Sequence, residues 1–260
     1  MSNSPSRRMR IALKAAAAAA DVIRGFYRGD FSVEIKDDRT PVTIADVEAE
    51  RAIQRILSAE FPDCDFFGEE TGRSAIGSEY VWLVDPIDGT KSFVRQYPFF
   101  STQIALMHRG ELILGVSSAP VFGEVASAER GGGAFLDGSL LSVSDISRLR
   151  DATVSTGNLK TLAAHESWER FGTIVKDAGR IRGYGDFYHY HLLASGKIEA
   201  VIESDVNVLD IAALTVIVRE AGGIVTELNG DPITLASTTI LAANPALHES
   251  LLERLQFRPG

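Results

Sequence analysis

At 260 residues, 45% of them hydrophobic and only 9 of them proline, the chain is long enough to bury roughly 75% of its unfolded surface in one core. A formal charge of -9 argues against a general nucleic-acid or anionic-membrane binder, since those surfaces need clustered Lys and Arg. The lone cysteine, Cys64, rules out an intramolecular disulfide and fits a reducing compartment, so a cytoplasmic protein is expected.

Arg7, Arg8 and Arg10 precede an apolar run at 11–20 that superficially resembles a signal peptide. Lys14 interrupts that run, and Asp21, Arg24 and Arg28 continue it at the spacing of an amphipathic helix, predicted over 6–27. No later segment reaches the ~20 apolar residues of a membrane span. After a loop at 36–41, a second helix begins near Ile44, places Ala49, Ala52, Ile53, Ile56 and Leu57 on one face, and ends at Phe61-Pro62. Residues 80–84 are apolar and aromatic and run into Asp85-Pro86-Ile87-Asp88-Gly89-Thr90, a strand followed by a turn. Further strands are predicted at 102–107, 112–119 and 124–128, with tight turns at Gly131-Gly132-Gly133 and Asp137-Gly138.

Helical patterns return at 168–178 and 188–194, followed by an apolar strand at 200–202. Asp210 falls in the first turn of a helix whose Leu214, Ile217, Val218 and Ala221 keep a helical period and which Gly222-Gly223 stops. Strands at 224–227 and 239–242 flank Asn229-Gly230, and a last helix covers 246–255. No linker or internal repeat divides the chain, so residues 1–260 are read as a single unit of α/β (mixed α+β) class, with sheets between helix layers.

Asp85 and Asp88 straddle a proline and crowd one turn. Two like charges ~4 Å apart repel by roughly 4 kcal/mol at an effective dielectric near 20, so such groups protonate, separate or bind a cation. Oxygen-only ligands point to magnesium. Gly89 lets the backbone approach a phosphate, and Thr90 offers an N–H and a hydroxyl at the same spot. Read alone, the hexapeptide could equally be a plain turn, Gly68-Glu69-Glu70 a solvated loop, and Asp46 and Asp210 simple helix-start carboxylates.

Taken in order, Gly68-Glu69-Glu70, then Trp82-Leu83-Val84-Asp85-Pro86-Ile87-Asp88-Gly89-Thr90, then Leu209-Asp210-Ile211-Ala212-Ala213 closely resemble the signature of the inositol monophosphatase family. Ser118-Ala119-Pro120, the stretch 131–138 and Glu220-Ala221-Gly222-Gly223 extend the resemblance over most of the chain from Asp46 onward. Lys91 and Leu209 depart from the common Thr and Trp without removing a ligand, and Leu209 is expected to alter the pocket wall.

The resemblance implies a layered α-β-α-β-α sandwich of the inositol monophosphatase and sugar phosphatase type, forming a homodimer. It implies a metal and phosphate half to about residue 145 and a substrate-recognition half from 146. It also implies Mg²⁺, two or three ions: Glu69, Asp85 and the Ile87 carbonyl would hold one, and Asp85, Asp88 and Asp210 a second. Glu69 and Thr90 would orient the attacking water, Asp46 would support Thr90, and Asp88, Gly89, Thr90 and Asp210 would lie along the substrate phosphate. Lithium sensitivity would follow from the second metal position.

Relatives act on inositol phosphates, histidinol phosphate, nucleotide 3′-phosphates and fructose bisphosphate, so the residues away from the metals decide the substrate. Glu203, seven residues before Asp210, has the spacing of the family acid that contacts the substrate alcohol, or is a strand-end surface acid. Arg182-Gly183-Tyr184-Gly185-Asp186-Phe187 replaces the small neutral residues of inositol-directed members and looks like the histidinol-phosphate phosphatase branch. Asp186 beside Glu203 suits an ammonium group by charge-assisted hydrogen bonding, or else it caps the helix at 188–194.

His189 and His191, on different sides of that helix, read as packing or surface groups, with Phe187, Tyr188 and Tyr190 as core and pocket wall. Lys36 reads as a solvated lysine beside its loop. The expected partner is a small phosphorylated metabolite, L-histidinol phosphate first and inositol-1-phosphate second, with neither nucleic acid nor membrane. A non-catalytic metal-binding relative is disfavoured because every carboxylate of the pattern is present.

Overall fold

The computed structural model describes residues 5–27, 29, 33–35, 41–74 and 77–258; Arg28, Lys36 and positions 36–40 of the expected loop lie outside them. The alanine-rich start forms α1 (Arg7–Phe26), with the Ser6 hydroxyl accepting the Met9 N–H at 3.1 Å as its cap. Its alanines bury against α2 (Ile44–Glu60), which follows a short antiparallel pair, β1 (Val33–Ile35) and β2 (Pro41–Thr43). Small side chains let the two helices approach closely.

The chain continues through β3 (Asp65–Gly68), β4 (Gly72–Arg73), β5 (Tyr80–Asp88), α3 (Thr90–Val94), β6 (Ser101–His108), β7 (Glu111–Ala119), β8 (Glu124–Glu129), β9 (Gly133–Leu136) and β10 (Ser139–Leu140). These strands make one sheet in the order β10-β9-β8-β7-β6-β5-β3-β4, antiparallel except where β3 runs parallel to β5. The remainder comprises β11 (Thr153–Thr156), α4 (Lys160–Ala164), α5 (Trp168–Asp177), β12 (Arg180–Arg182), α6 (Tyr188–Ala194), β13 (Ala200–Ser204), α7 (Val208–Glu220), β14 (Ile224–Thr226), β15 (Thr239–Ala243) and α8 (Pro245–Leu255). A second sheet has the order β12-β11-β13-β15-β14.

Alternation along the strands assembles the layers. Trp82, Val84, Ile104, Leu106, Leu114 and Val116 face α1 and α2, while Val81, Leu83, Ala105 and Met107 face α7. On the second sheet Val201, Ile240 and Ala242 face α6 and α7, and Ala200, Ile202 and Leu241 face α4, α5 and α8. The result is the expected α-β-α-β-α sandwich. The short strands β3, β11 and β12 were not legible as periodic runs.

Helix α7 carries more than the single stripe expected of it. Val208, Leu209 and every residue from Ile211 to Val218 are buried, because the helix lies between two sheets and has no solvent face. Its approach to the first sheet depends on Gly115, where an added Cβ would sit 2.3 Å from the Ala213 carbonyl oxygen. Gly115→Ala is expected to destabilise the protein by about 1–3 kcal/mol, read as a lower Tm in thermal unfolding; an unchanged Tm would mean that α7 can lift off the sheet freely.

Candidate metal and phosphate site

Period two along β5 puts Asp85 on the α7 side, beyond Val81 and Leu83. The ladder to β6 slips between Asp85 and Asp88, so the supposed turn is the irregular end of a strand. One ligand atom from each of Asp85, Asp88 and Asp210 then lies within 4.8 Å of the others. Ile87 donates its N–H to Asp85 Oδ1 at 2.9 Å. Gly89 follows with φ 91°, and a Cβ there would meet the Phe99 carbonyl oxygen at 2.6 Å, so only glycine turns the chain into α3.

Thr90 opens α3. Its Oγ1 lies 3.1 Å from Asp46 Oδ1 and 3.0 Å from the Ile87 carbonyl oxygen. Asp46 Oδ2 accepts the Thr43 N–H at 2.8 Å and the Thr43 hydroxyl at 2.6 Å, completing a capping box at the start of α2. Asp46 is therefore both a cap and the partner of Thr90. Asp210 repeats the device, accepting the Asn207 N–H at 3.0 Å in the capping box of α7 while facing Asp85 and Asp88.

Burial comes first in the electrostatics. It raises Asp85 well above the usual carboxylate range, with Glu69, Asp210 and Asp88 adding to the effect. It raises Asp88 likewise, reinforced by Asp186, Asp210, Glu203 and Glu69. Asp210 is pushed up to about 7 by burial, its hydrogen bond from Asn207 opposing and Glu69 assisting. Asp46 is also raised, burial outweighing its bonds to Thr43 and Thr90. Glu69 stands outside the three-acid group but is close enough for its charge to act on all four of these carboxylates.

Among the described residues, the buried Asp88 Oδ2 has no hydrogen-bond partner. Acids crowded together, with one oxygen unsatisfied, offer the kind of oxygen donor set that a hard cation takes. The residues fit the metal that the sequence implied.

Beside this cluster, Asp88 and Asp210 bound an inner recess with Asp186, Tyr190 and Glu203. The recess shares Asn158, Asp186 and Glu203 with an open cleft of about 270 Å³ lined also by Thr156, Gly157, Gly183 and Gly185. Larger hollows of about 410 and 390 Å³ lie elsewhere, one along Met9 and Phe135 and one along Arg130 and Arg219. Neither brings three acids together among the described residues, so donor chemistry and not size selects the site.

Glu203 is held from three sides. Asn158 donates its N–H to Oε1 at 3.1 Å, the Tyr190 hydroxyl donates to Oε2 at 2.6 Å, and His189 Nε2 lies 3.0 Å from Oε2. Burial raises its pKa, but the His189 charge and these hydrogen bonds win, leaving it below the ordinary range. Asp186 behaves oppositely: burial and then Glu203 push it up to about 6, against His189, the Ser92 hydroxyl and Lys91. Glu203 is thus held as an anion more firmly than a free carboxylate, while Asp186 takes up a proton at a higher pH than one.

A model of the inositol monophosphatase family matches residues 5–259. The chain belongs to the inositol monophosphatase family. It is 37% identical over 245 residues to a protein called histidinol-phosphatase from Chlorobaculum parvum, covering 94% of this chain and 95% of that one. A histidinol-phosphatase from Mycobacterium tuberculosis is 40% identical over 231 residues, covering 87% and 88%. The crystal structure of extragenic suppressor protein suhB from Bartonella henselae superposes with a TM-score of 0.89 at 30% identity, covering 96% of this chain and 99% of that one. Membership makes this chain a phosphatase of small phosphorylated substrates, generally a metal-dependent class. Among the described residues, no helix is long and apolar enough to cross a membrane.

The structure decides between the readings the sequence left open, and it corrects the one that put Leu209 in the pocket wall. Asp186 does not cap α6: Phe187 holds the cap position without a side-chain bond, and Asp186 sits at φ 44° with Oδ2 3.4 Å from Ser92 Oγ. Leu209 packs into the core under β5 and β6 and does not line the cleft. Glu203 is buried rather than a surface acid, and His189 and His191 are buried on opposite sides of α6, His191 facing Ser117 at 2.9 Å.

Sequence reasoning missed Asn158 and Gly157. A Cβ at Gly157 would fall 1.7 Å from Glu203 Oε1, and that glycine beside an asparagine after a short strand was the available signal.

Proposed function

We propose that this chain is a Mg²⁺-dependent phosphomonoesterase that hydrolyses L-histidinol phosphate to L-histidinol and phosphate, working as a cytoplasmic homodimer. One observation carries the choice of substrate: the acids Asp186 and Glu203 line a cleft that opens onto the recess bounded by Asp88 and Asp210. A substrate with a phosphate at one end and an ammonium group at the other fits that order of charges.

Asp85, Asp88 and Asp210, with Glu69 and the Ile87 carbonyl, would hold two or three magnesium ions. When bound, the metal neutralises the acids, polarises the phosphate and acidifies a water. The chain's own residues do the rest. Glu69 and Thr90 orient the water in line with the phosphorus; as its oxygen bonds to phosphorus, Thr90 Oγ1 takes its proton while passing its own to Asp46 Oδ1, 3.1 Å away, and the phosphorus–ester oxygen bond breaks, the departing alkoxide taking a proton from solvent water. The raised pKa of Asp46 suits that proton. Gly89 and Thr90 present backbone to the phosphate, and Asp186 and Glu203 hold the ammonium and alcohol of the leaving group.

Phosphate release with Mg²⁺ from L-histidinol phosphate, inositol-1-phosphate and adenosine 3′,5′-bisphosphate at equal concentrations tests the reading. A preference for histidinol phosphate is expected. Inositol-1-phosphate is the second reading, favoured by the family description and by the buried Glu203 in the cleft; preference for it would keep the metal chemistry and remove Asp186 from substrate recognition.

The raised acids also predict a pH dependence. The metal-free fold gains from Asp210 below its ordinary value of 3.8 and loses that contribution as pH rises through about 7. Mg²⁺ competes with those protons, so its addition is expected to raise Tm more at pH 8 than at pH 5. Equal shifts at both pH values in a thermal-unfolding titration would argue against carboxylate ligation.

A further inference from the structure

Helix α2 carries two buried acids one turn apart, Asp46 and Glu50, both 0% exposed. Asp46 reaches Thr90, as described. Glu50 accepts two backbone donors from another segment: the Glu70 N–H at Oε2 and the Thr71 N–H at Oε1, each at 2.8 Å. Both carboxylate oxygens thus grip the loop that follows Glu69. On the other side of Glu69, a Cβ at Gly68 would come within 2.5 Å of the Glu50 carboxylate carbon, so the glycine makes room for the acid.

Burying a carboxylate is unfavourable unless charge-assisted hydrogen bonds offset its lost hydration, and two short bonds to a loop backbone are of that kind. An apolar residue would fill the same stripe, in phase with Ile53 and Leu57, without holding anything.

We infer that Glu50 is a positioning residue, which fixes the backbone that follows Glu69, packs against Gly68 before it and, through the helical turn it shares with Asp46, holds that loop at a set distance from Thr90. One helix then places both groups that orient the water. The inference rests on the proposed role of Glu69 as a metal ligand.

Glu50→Gln tests it with little change of shape, since the amide keeps one acceptor and turns a donor toward a backbone N–H. The Mg²⁺ concentration for half-maximal activity is expected to rise roughly tenfold, as for other partners that orient a metal ligand. The midpoint of the Mg²⁺-induced Tm increase should move equally, while KM for the ester at saturating Mg²⁺ stays put. Glu69→Gln is measured alongside.

If Glu69→Gln weakens Mg²⁺ binding and Glu50→Gln lowers only Tm, Glu50 is a plain structural anchor and the inference fails while the proposed function stands. If Glu69→Gln leaves Mg²⁺ binding untouched, Glu69 is no ligand and both fall. Should Glu50→Gln not fold, Gly68→Ala, which displaces the Glu50 carboxylate from the loop, is expected to give the same rise in Mg²⁺ requirement; an unchanged requirement overturns the inference.

Discussion

Asp88→Asn lowers kcat by on the order of 10³-fold on every phosphate ester the enzyme accepts, the loss expected when several kcal/mol of metal-derived charge stabilisation disappears. The same substitution is expected to stabilise the metal-free protein at pH 8. Burial holds the Asp88 pKa well above 3.8, helped by Asp186, Asp210, Glu203 and Glu69, so its ionisation opposes folding once the pH exceeds its unfolded value. Asparagine removes that charge, and near pH 4 the gain vanishes because the acid is then neutral in the fold. Single-turnover kinetics with Mg²⁺ and thermal unfolding without it read the two effects separately. Unchanged turnover would dismiss the metal assignment; a Tm that falls at pH 8 would mean that Asp88 supports the fold more than its repulsion strains it.

Asp186→Asn removes a charge without disturbing the backbone, because asparagine tolerates the φ of 44° found at this position. The value of kcat/KM on histidinol phosphate is expected to fall about 10–100-fold, the range of a hydrogen bond to a charged group. Inositol-1-phosphate, without a cation, should be nearly unaffected. Asp186 is pushed up to about 6, so the wild type ionises it as pH rises and the gap between wild type and variant widens from pH 5 to pH 8. Equal losses on both substrates, independent of pH, would make Asp186 a structural residue of its turn.

Much of this site is legible in the sequence because it is written in local runs. The apolar strand leading to Asp85, the glycine after Asp88 and the start of α7 at Asp210 are neighbours in sequence, and each has its own periodic or capping signal. What stayed hidden depends on tertiary approach. The acids at 46 and 50 fall in phase with Ile53 and Leu57, a pattern that puts charge on a buried stripe, but the donors at Glu70 and Thr71 belong to another segment. The fate of Leu209 was misread for the same reason: its neighbour Asp210 faces the site, and only the position of α7 between two sheets turns Leu209 the other way.

The capping boxes of α2 and α7 bear on the lifetime of the assembled site. Asp46 and Asp210 each tie down the first turn of a helix with the same carboxylate that faces the chemistry. Helix ends fray on their own, cheaply and often, while the core stays intact. Here both first turns are buried, Ala45 and Asp46 in α2 and Val208 and Leu209 in α7, so they open less readily than a free helix end, and any such opening would carry a proposed site acid away with it.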